Sequence, residues 1–290
     1  MSVFLQLAIN ILIPTALFGL VAAGFTLFCG VSRVLHLTIG ASVTAAGYVF
    51  AAAIKAGFSI PIAILCAVVS AIAIGLFANT VLYEPLRAKG RFSVTTALIA
   101  SLALLLGIQS VFLIVFGSQP KSIDLPFLQT RFDFFGASIT LTQLLSLAIA
   151  AIVCAGFSLY LRYCRLGVAL RATSDNPEVA EIVGINTKRI RALAITLASL
   201  LAGIGGILIA LEYNLEPHAA ATHAIRAFSR TIVGGVGSIP GVIVSGLLIE
   251  SGENLGAFFI SSSYQSILTF TLIFLFLIFR PQGIFGSRKE

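Results

Sequence analysis

Charged residues are scarce in this 290-residue sequence: they make up 10% of it, against 58% hydrophobic residues and a mean hydropathy of +1.06. A soluble domain carries about 25% charged residues, so this chain has too few polar groups to cover a soluble surface. It also lacks the marks of a cleaved signal peptide, because residues 1–29 have no basic start and too long an apolar stretch. We conclude that the chain is an integral membrane protein.

Several chemical signatures are missing as well. The four cysteines include no CxxC pair, and the three histidines show no HExxH spacing, so we expect no metal site. Neither a GxSxG motif nor a pair of intramembrane aspartates points to a membrane enzyme. The phosphate-binding pattern GxxxxGK[ST] is absent too, so ATP-driven work would need another chain. We therefore predict no catalytic residue and no cofactor in this chain, with Mg-ATP bound only by partner subunits.

Long apolar runs dominate what is present. A run of about 18 apolar residues is long enough to cross the hydrocarbon core of a bilayer. With ragged ends, the runs cover residues 5–29, 38–56, 60–82, 94–116, 138–161, 192–211, 240–257 and 263–279. A shorter apolar piece, Ala227–Val236, precedes the seventh run.

Basic residues concentrate in three polar segments: the loop 83–91, the loop 162–191 and the tail that follows the last run. Positively charged loops face the cytoplasm, so these three segments are predicted to lie inside. This distribution over separate loops suits membrane orientation better than nucleic-acid binding, despite the net charge of +7. The charge-balanced segment 117–137 and the segment 212–226 are predicted to lie outside. Counting crossings then places the N-terminus outside and the C-terminus inside.

The segment 227–262 must, on this count, enter and leave the membrane on the outer side. The piece Ala227–Val236 is about 10 residues, or roughly 15 Å of helix, which reaches half way across. The stretch GGVGSIPG (234–241) would then turn the chain at membrane depth, where irregular backbone is tolerated only beside protein or a watery cavity. The prediction is an all-α polytopic membrane protein with seven crossings and one re-entrant helix pair.

Two interpretations of the glycine-rich turn stay open. Gly235, Gly237 and Pro240 could shape a constriction in a translocation path, as broken helices do in transporters. The same residues could equally form a plain turn that packs two helices together.

The loop 162–191 contains the pattern of a short helix. Asp175 or Asn176 suits the N-cap, and Pro177 suits the first turn. The predicted helix carries an acidic residue at its start, an apolar stripe and a closing glycine: Glu178, Val179, Ile182, Val183 and Gly184. The stripe needs a partner, and packing on the protein's own helix ends or docking into a cytoplasmic subunit are both open.

Polar residues near the ends of the runs are expected to be solvated. Glu250, Glu253 and Asn254 lie close to the predicted outer interface, where charged side chains reach water at low cost. His218 and His223 fall in or near the predicted outer loop and are expected to be solvated as well.

Three stretches resemble the permease subunits of branched-chain amino-acid ABC transporters: YEPLR (83–87), EVAEIVGINTKRIR (178–191), and VGGVGSIPG (233–241) followed by RPQGIFG (280–286). The resemblance covers nearly the whole chain in order and spacing. It implies that residues 1–290 form a single transmembrane permease domain of the cell (inner) membrane, with a cytoplasmic coupling loop at 162–191. It also implies a complex with cytoplasmic ATPases, a second identical or related permease subunit, and a periplasmic or lipid-anchored binding protein.

One stretch departs from the family pattern. Where family members usually carry Asn-Phe-Ala-His-Gly, this sequence reads HLTIG (36–40) and keeps only Gly40, which we include among the candidate path residues. The substrate is left open among branched-chain amino acids, other amino acids, amides and urea. The alternative function is a secondary transporter without ATPase subunits, although the central parts of the runs carry few of the charged relay residues that such proteins use.

Overall fold

A computed structural model describes residues 2–90, 92–123, 125, 130–134, 136–259, 265–280 and 282–286. Its helices, in chain order, are α1 Ser2–Ser32, α2 Ile39–Lys55, α3 Ile60–Ala78, α4 Glu84–Ala88, α5 Val94–Phe116, α6 Leu141–Tyr163, α7 Arg165–Asp175, α8 Pro177–Ile182, α9 Thr187–Glu212, α10 Ala219–Gly234, α11 Ile239–Phe259 and α12 Gln265–Phe279. A π-helical turn, Asn79–Tyr83, joins α3 to α4. A short antiparallel hairpin pairs β1 Arg131–Phe134 with β2 Ala137–Thr140.

Long apolar helices account for most of the described chain. Six of them, counted among the described residues, are long and apolar enough to cross a bilayer: α1, α3 with its continuation through α4, α5, α6, α9 and α11. The apolar helix α2 is shorter, at 17 residues. The prediction of an all-α polytopic membrane protein is confirmed at this level, and the small hairpin is a feature that it did not include.

Helices α1 and α9 form the centre, and both are largely buried, whereas α3, α5 and α6 expose most of their surface. Small residues allow the close packing. A Cβ atom added to Gly24 of α1 would lie 2.7 Å from the Ala198 carbonyl oxygen of α9. Helix α3 turns a stripe of small residues inward, namely Ala63, Ala67, Ala71, Gly75 and Ala78. Small residues at helix interfaces are the usual means by which membrane helices approach each other.

The polar loops gather at two ends of the bundle. At one end, Arg87 donates to the Ser32 carbonyl over 2.6 Å, and Glu84 lies 3.6 Å from Arg191. At the other end, the backbones of Lys121 and Leu215 exchange hydrogen bonds of 3.0 and 2.7 Å. The loops predicted to be inside thus contact one another, and so do the loops predicted to be outside.

The region before the glycine-rich turn differs from the sequence prediction. The proposed apolar piece Ala227–Val236 is wrong in its bounds, because α10 begins at Ala219 and ends at Gly234. Its 16 residues span roughly 24 Å at 1.5 Å per residue, well beyond half of the hydrocarbon core. The basic residues Arg288 and Lys289, used to place the tail, lie outside the described residues.

Candidate functional site

Helix α8 has the local structure that its sequence predicts. The Asn176 side-chain oxygen accepts hydrogen bonds from the backbone N–H groups of Glu178 (3.0 Å) and Val179 (3.2 Å), which caps the helix. Gly184 has a φ of +86° and ends the helix with a left-handed residue. Ala180 is buried on the inner side of the helix.

The apolar stripe of α8 has no cover within the described chain. The exposed fractions are 52% for Val179, 84% for Ile182 and 68% for Val183. Apolar side chains on a short helix between charged residues gain no stability in water. The stripe, together with exposed Glu178 and Gly184, therefore has the form of a docking surface, which we call the coupling surface.

Ion pairs and hydrogen bonds hold the coupling surface in place. Glu84 of the YEPLR motif lies 3.8 Å from Lys188 and 3.6 Å from Arg191, at the start of α9. The Thr187 hydroxyl at the start of α9 donates to the Glu181 carboxylate of α8. Two of the motifs that define the family resemblance thus contact each other at one end of the bundle.

The glycine-rich turn (residues 234–241) is held between α1 and the C-terminal segment. Gly235 and Gly237 have φ values of +99° and +89°, a region that favours glycine. The Gly237 N–H donates to the Thr26 hydroxyl over 2.8 Å, and the backbone N–H groups of Ile284 and Phe285 donate to residues 233 and 234. Thr26 lies roughly 9 Å of helix before the end of α1, so the turn sits near the end of the bundle that carries the coupling surface.

The four candidate path residues do not lie together. Gly237 and Pro240 line a cavity beside the turn. Gly235 is buried, and a Cβ atom there would lie 2.7 Å from the Gly286 nitrogen. Gly40 is buried at the start of α2, where a Cβ atom would collide with the Ala220 carbonyl oxygen of α10. Gly40 therefore packs two helices, and Gly235 packs the turn onto the C-terminal segment.

Three cavities lie in series along α6 and α11, and we name them outer, middle and inner by decreasing distance from the end of the bundle that carries the basic loops. The outer cavity, about 270 Å³, begins at the α1 residues Asn10, Ile13 and Pro14. The middle cavity, about 410 Å³, continues along α1 from Leu12 to Gly19 and is lined almost entirely by small and apolar side chains. The inner cavity, about 560 Å³, shares Ser158, Ile239 and Pro240 with the middle one. The middle and inner cavities thus form a continuous groove that passes the glycine-rich turn.

The two ends of this series of cavities are polar. Arg162, Arg171 and Ser174 line the inner cavity at the end that carries the basic loops. The outer cavity is lined by polar and ionisable residues from five helices: Asn10, Gln143, Glu212, Tyr213, Arg226, Glu250, Glu253 and Asn254. Polar residues in the outer cavity, apolar residues in the middle cavity and basic residues in the inner cavity suit a small solute that combines charged and apolar parts.

The expectation that Glu250 and Glu253 are solvated is wrong. They are 2% and 7% exposed, and Glu250 forms an ion pair with Arg230, which is 1% exposed. Sequence reasoning counted Arg230 within an apolar piece and so missed this pair. The sequence did contain a signal for this pair, because a charged residue such as Arg230 in a membrane segment is costly unless a partner of opposite charge is near.

The histidines and the divergent stretch behave differently from one another. His36 of HLTIG is fully buried, and its Nδ1 atom lies 2.7 Å from the Tyr83 hydroxyl of the π-helical turn. His218 lies exposed, as expected, and its Nδ1 atom is 3.1 Å from the Gln109 side chain. The first contact joins the segment between α1 and α2 to the π-helical turn, and the second joins α5 to the start of α10.

A family model described as "Branched-chain amino acid transport system / permease component" matches residues 7–277. The chain belongs to this family. It is 29% identical, over 98% of its length and 96% of the relative's, to the high-affinity branched-chain amino acid transport system permease protein BraD of Pseudomonas aeruginosa. The corresponding LivH protein of Escherichia coli strain K12 is 27% identical over the same shares of both chains.

More distant similarity reaches other permeases. The ribose import permease protein RbsC of E. coli strain K12 is 26% identical over 92% of this chain and 83% of its own. The solved structure titled "PsaBC from Streptococcus pneumoniae in complex with Fab" matches with a TM-score of 0.53, covering 95% of this chain and 92% of that one. At 14% identity this match shows a shared fold.

Family membership confirms the resemblance found in the sequence. The protein is a permease subunit of an ABC-type importer and a multi-pass protein of the cell (inner) membrane. The family is one of transport components rather than enzymes. The buried charge pair alone would suit a secondary transporter, but the family assignment decides against that alternative.

Proposed function

We propose that the groove along α1, α6 and α11 is one wall of the path through which this permease translocates its substrate. The observation that carries the proposal is the alignment of the three cavities on the same three helices, from the outer cavity to the glycine-rich turn. Pro240 borders two of the cavities, and Gly237 borders the inner one. These two residues retain the path role inferred from the sequence, whereas Gly40 and Gly235 support the path by packing.

The substrate class that fits best is an amino acid, branched-chain or of related size. The relatives named for branched-chain amino acids match this chain at higher identity and over more of its length than the relative named for ribose. The cavities are consistent with this class, because the apolar middle cavity accepts an aliphatic side chain while the outer cavity offers charged partners.

The proposed topology has seven crossings, formed by α1, α2, α3, α5, α6, α9 and α12, and one re-entrant pair, α10 with α11. The N-terminus lies outside and the C-terminus inside. Support comes from the basic loops, which contact one another at one end, and from the close approach of Gly234 and Gly241, which returns α11 alongside α10.

Three kinds of partner complete the proposed transporter. A second permease subunit covers the side of the groove where Leu12 and Ile243 are exposed. A cytoplasmic ATPase, which supplies the Mg-ATP chemistry, receives the coupling surface of α8. A periplasmic or lipid-anchored binding protein delivers substrate at the outer cavity.

A leucine at position 19 tests the groove. Gly19 lines the middle cavity, and a Cβ atom there meets nothing within 4 Å. Gly19→Leu should therefore fill the groove without displacing backbone, and uptake should fall by roughly tenfold or more, since about 1.4 kcal/mol on a barrier changes a rate tenfold. The measurement is binding-protein-dependent uptake by the reconstituted transporter.

The matched control is Gly107→Leu. Gly107 is a helical glycine of α5 that also has open space around its Cβ position but does not line the groove. This variant should transport normally. Wild-type uptake by a correctly assembled Gly19→Leu transporter would show that the path lies elsewhere.

A further inference from the structure

The outer cavity gathers ionisable side chains of both signs around one small space. Glu212 comes from the end of α9, Arg226 from α10, and Glu250 with Glu253 from α11. Pockets for drug-sized ligands occupy about 300–1,000 Å³, so a cavity of about 270 Å³ suits a smaller solute of a few heavy atoms.

Part of the charge in this region is structural. Glu250, which lines the cavity, forms a buried ion pair with Arg230, and the Arg230 guanidinium also donates to the Arg226 carbonyl over 2.9 Å. The Ser245 hydroxyl donates to the Arg230 carbonyl over 2.6 Å, which fixes α10 against α11. The pair therefore holds the wall in which Arg226 and Glu253 are set.

The lining groups are held in place by their neighbours. The Arg226 guanidinium lies 4.8 Å from the ring centre of Phe18, an arrangement that orients its planar fork. The Gln143 amide donates to the Glu212 carboxylate over 2.8 Å. A guanidinium binds a carboxylate in a bidentate manner, and carboxylates accept hydrogen bonds from an ammonium group.

We propose that the outer cavity selects zwitterionic solutes, with Arg226 binding the substrate carboxylate and Glu253, assisted by Glu212, binding its ammonium group. This inference rests on the proposed function and assigns residues to the first step of the path. A solute that lacks either charge loses one of the two contacts.

The test measures occupancy of the cavity directly. Asn10 lines the cavity and is exposed, so a thiol in Asn10→Cys reports ligand binding by its rate of modification with a small methanethiosulfonate reagent. The protein is the complete transporter with Cys66 and Cys164 replaced by Ala, since these are the cysteines that are not buried. The probes are L-leucine, 4-methylpentanoate, which lacks the ammonium group, and 3-methylbutylamine, which lacks the carboxylate.

The expected result is protection by L-leucine at concentrations about tenfold or more below those needed for either analogue, a ratio that corresponds to about 1.4 kcal/mol. A thiol at Asn214→Cys, an exposed position of the loop after α9 that does not line the cavity, should show no protection. No protection, or protection by one singly charged analogue at the same concentration as L-leucine, would overturn the proposal.

Single substitutions test which residue binds the carboxylate and which binds the ammonium group. Arg226→Gln should remove the advantage of L-leucine over 3-methylbutylamine, and Glu253→Gln should remove its advantage over 4-methylpentanoate. Glu216→Gln, an exposed carboxylate outside the cavity, should change neither ratio. If Arg226→Gln fails to assemble, Arg226→Lys keeps the charge but loses the bidentate contact. It should weaken protection by L-leucine and 4-methylpentanoate and leave protection by 3-methylbutylamine unchanged.

Uptake by the unmodified transporter separates this inference from the proposed function. A transporter that imports L-leucine while all three probes protect Asn10→Cys equally would retain the path and refute the selection site. A transporter that imports nothing with its ATPase and binding protein present would refute the proposed function itself.

Discussion

Arg230 and Glu250 show how a charged pair can be retained inside a membrane protein. Each ion alone would cost several kcal/mol to bury, and a membrane segment makes that cost harder to avoid. Here the two side chains are 1% and 3% exposed and contact each other across the α10–α11 hairpin. The close approach of Gly234 and Gly241 in the turn allows α10 and α11 to place these two side chains opposite each other, because neither glycine position has room for a side chain.

Removing one member of this pair should destabilise the permease more than removing both. Arg230→Met leaves Glu250 buried without its cation, and the expected loss is about 3–5 kcal/mol. The double variant Arg230→Met/Glu250→Leu should recover most of that loss, since well-packed apolar residues often replace a buried pair without cost. Thermal unfolding in detergent measures both, with Lys55→Met, at the exposed end of α2, as the control.

A double variant that loses as much stability as the two single variants combined would contradict this account of the pair. Such a result would mean that each residue stabilises the hairpin through other neighbours. For the Arg230 side chain those are the Arg226 carbonyl, to which it donates over 2.9 Å, and the Phe18 ring, whose centre lies 5.0 Å from the guanidinium.

Helix α8 and helix α10 show which elements a sequence predicts well. Every feature that sets the two ends of α8 is local: the Asn176 cap and Pro177 at its start, and Gly184 in a left-handed conformation after its last turn. Such features can be found by inspecting a few adjacent residues. Helix α10 is different, because polar residues such as Thr222, His223 and Arg226 occupy its first half and interrupt the apolar pattern. Apolar runs therefore misplaced its start by eight residues, and the outer cavity was not foreseen.

The coupling surface leads to a prediction at the scale of one element. Ile182 is 84% exposed on α8, and burying such a side chain in a groove is worth about 1.5–3 kcal/mol. Ile182→Asp should therefore abolish co-purification of the ATPase and substrate-stimulated ATP hydrolysis. Membrane insertion and substrate capture by the binding protein should be unaffected.

A suitable control changes charge on the same side of the molecule. Lys89 is exposed in the loop 83–91 and lies outside the apolar stripe, so Lys89→Asp should leave ATPase binding intact. Wild-type ATPase binding and transport by Ile182→Asp would show that the stripe packs elsewhere.

At the scale of the whole molecule, hydrophobic runs and basic loops predicted the class of fold and the grouping of loops. They could do so because the cost of exposing polar backbone to lipid leaves helices as the main solution. They could not predict the groove. It depends on which faces of α1, α6 and α11 meet, and the sequence gives no role to a residue such as Gly19 until those helices pack.

The orientation of the whole chain is the last prediction, and three single-cysteine variants test it. Lys89→Cys lies among the basic loops, Asn214→Cys lies in the loop after α9, and Asn254→Cys lies near the end of α11, where it lines the outer cavity. In intact cells an impermeant maleimide should label Asn214→Cys and Asn254→Cys, whereas Lys89→Cys should react only after permeabilisation. The physical reason is that basic loops stay in the cytoplasm, while α10 and α11 enter and leave on the outer side.

The four native cysteines are replaced beforehand, and a variant at buried Ser199 serves as the unreactive control. Labelling of Asn254→Cys only from the cytoplasm would make α10 or α11 a single crossing and would reverse the placement of the outer cavity.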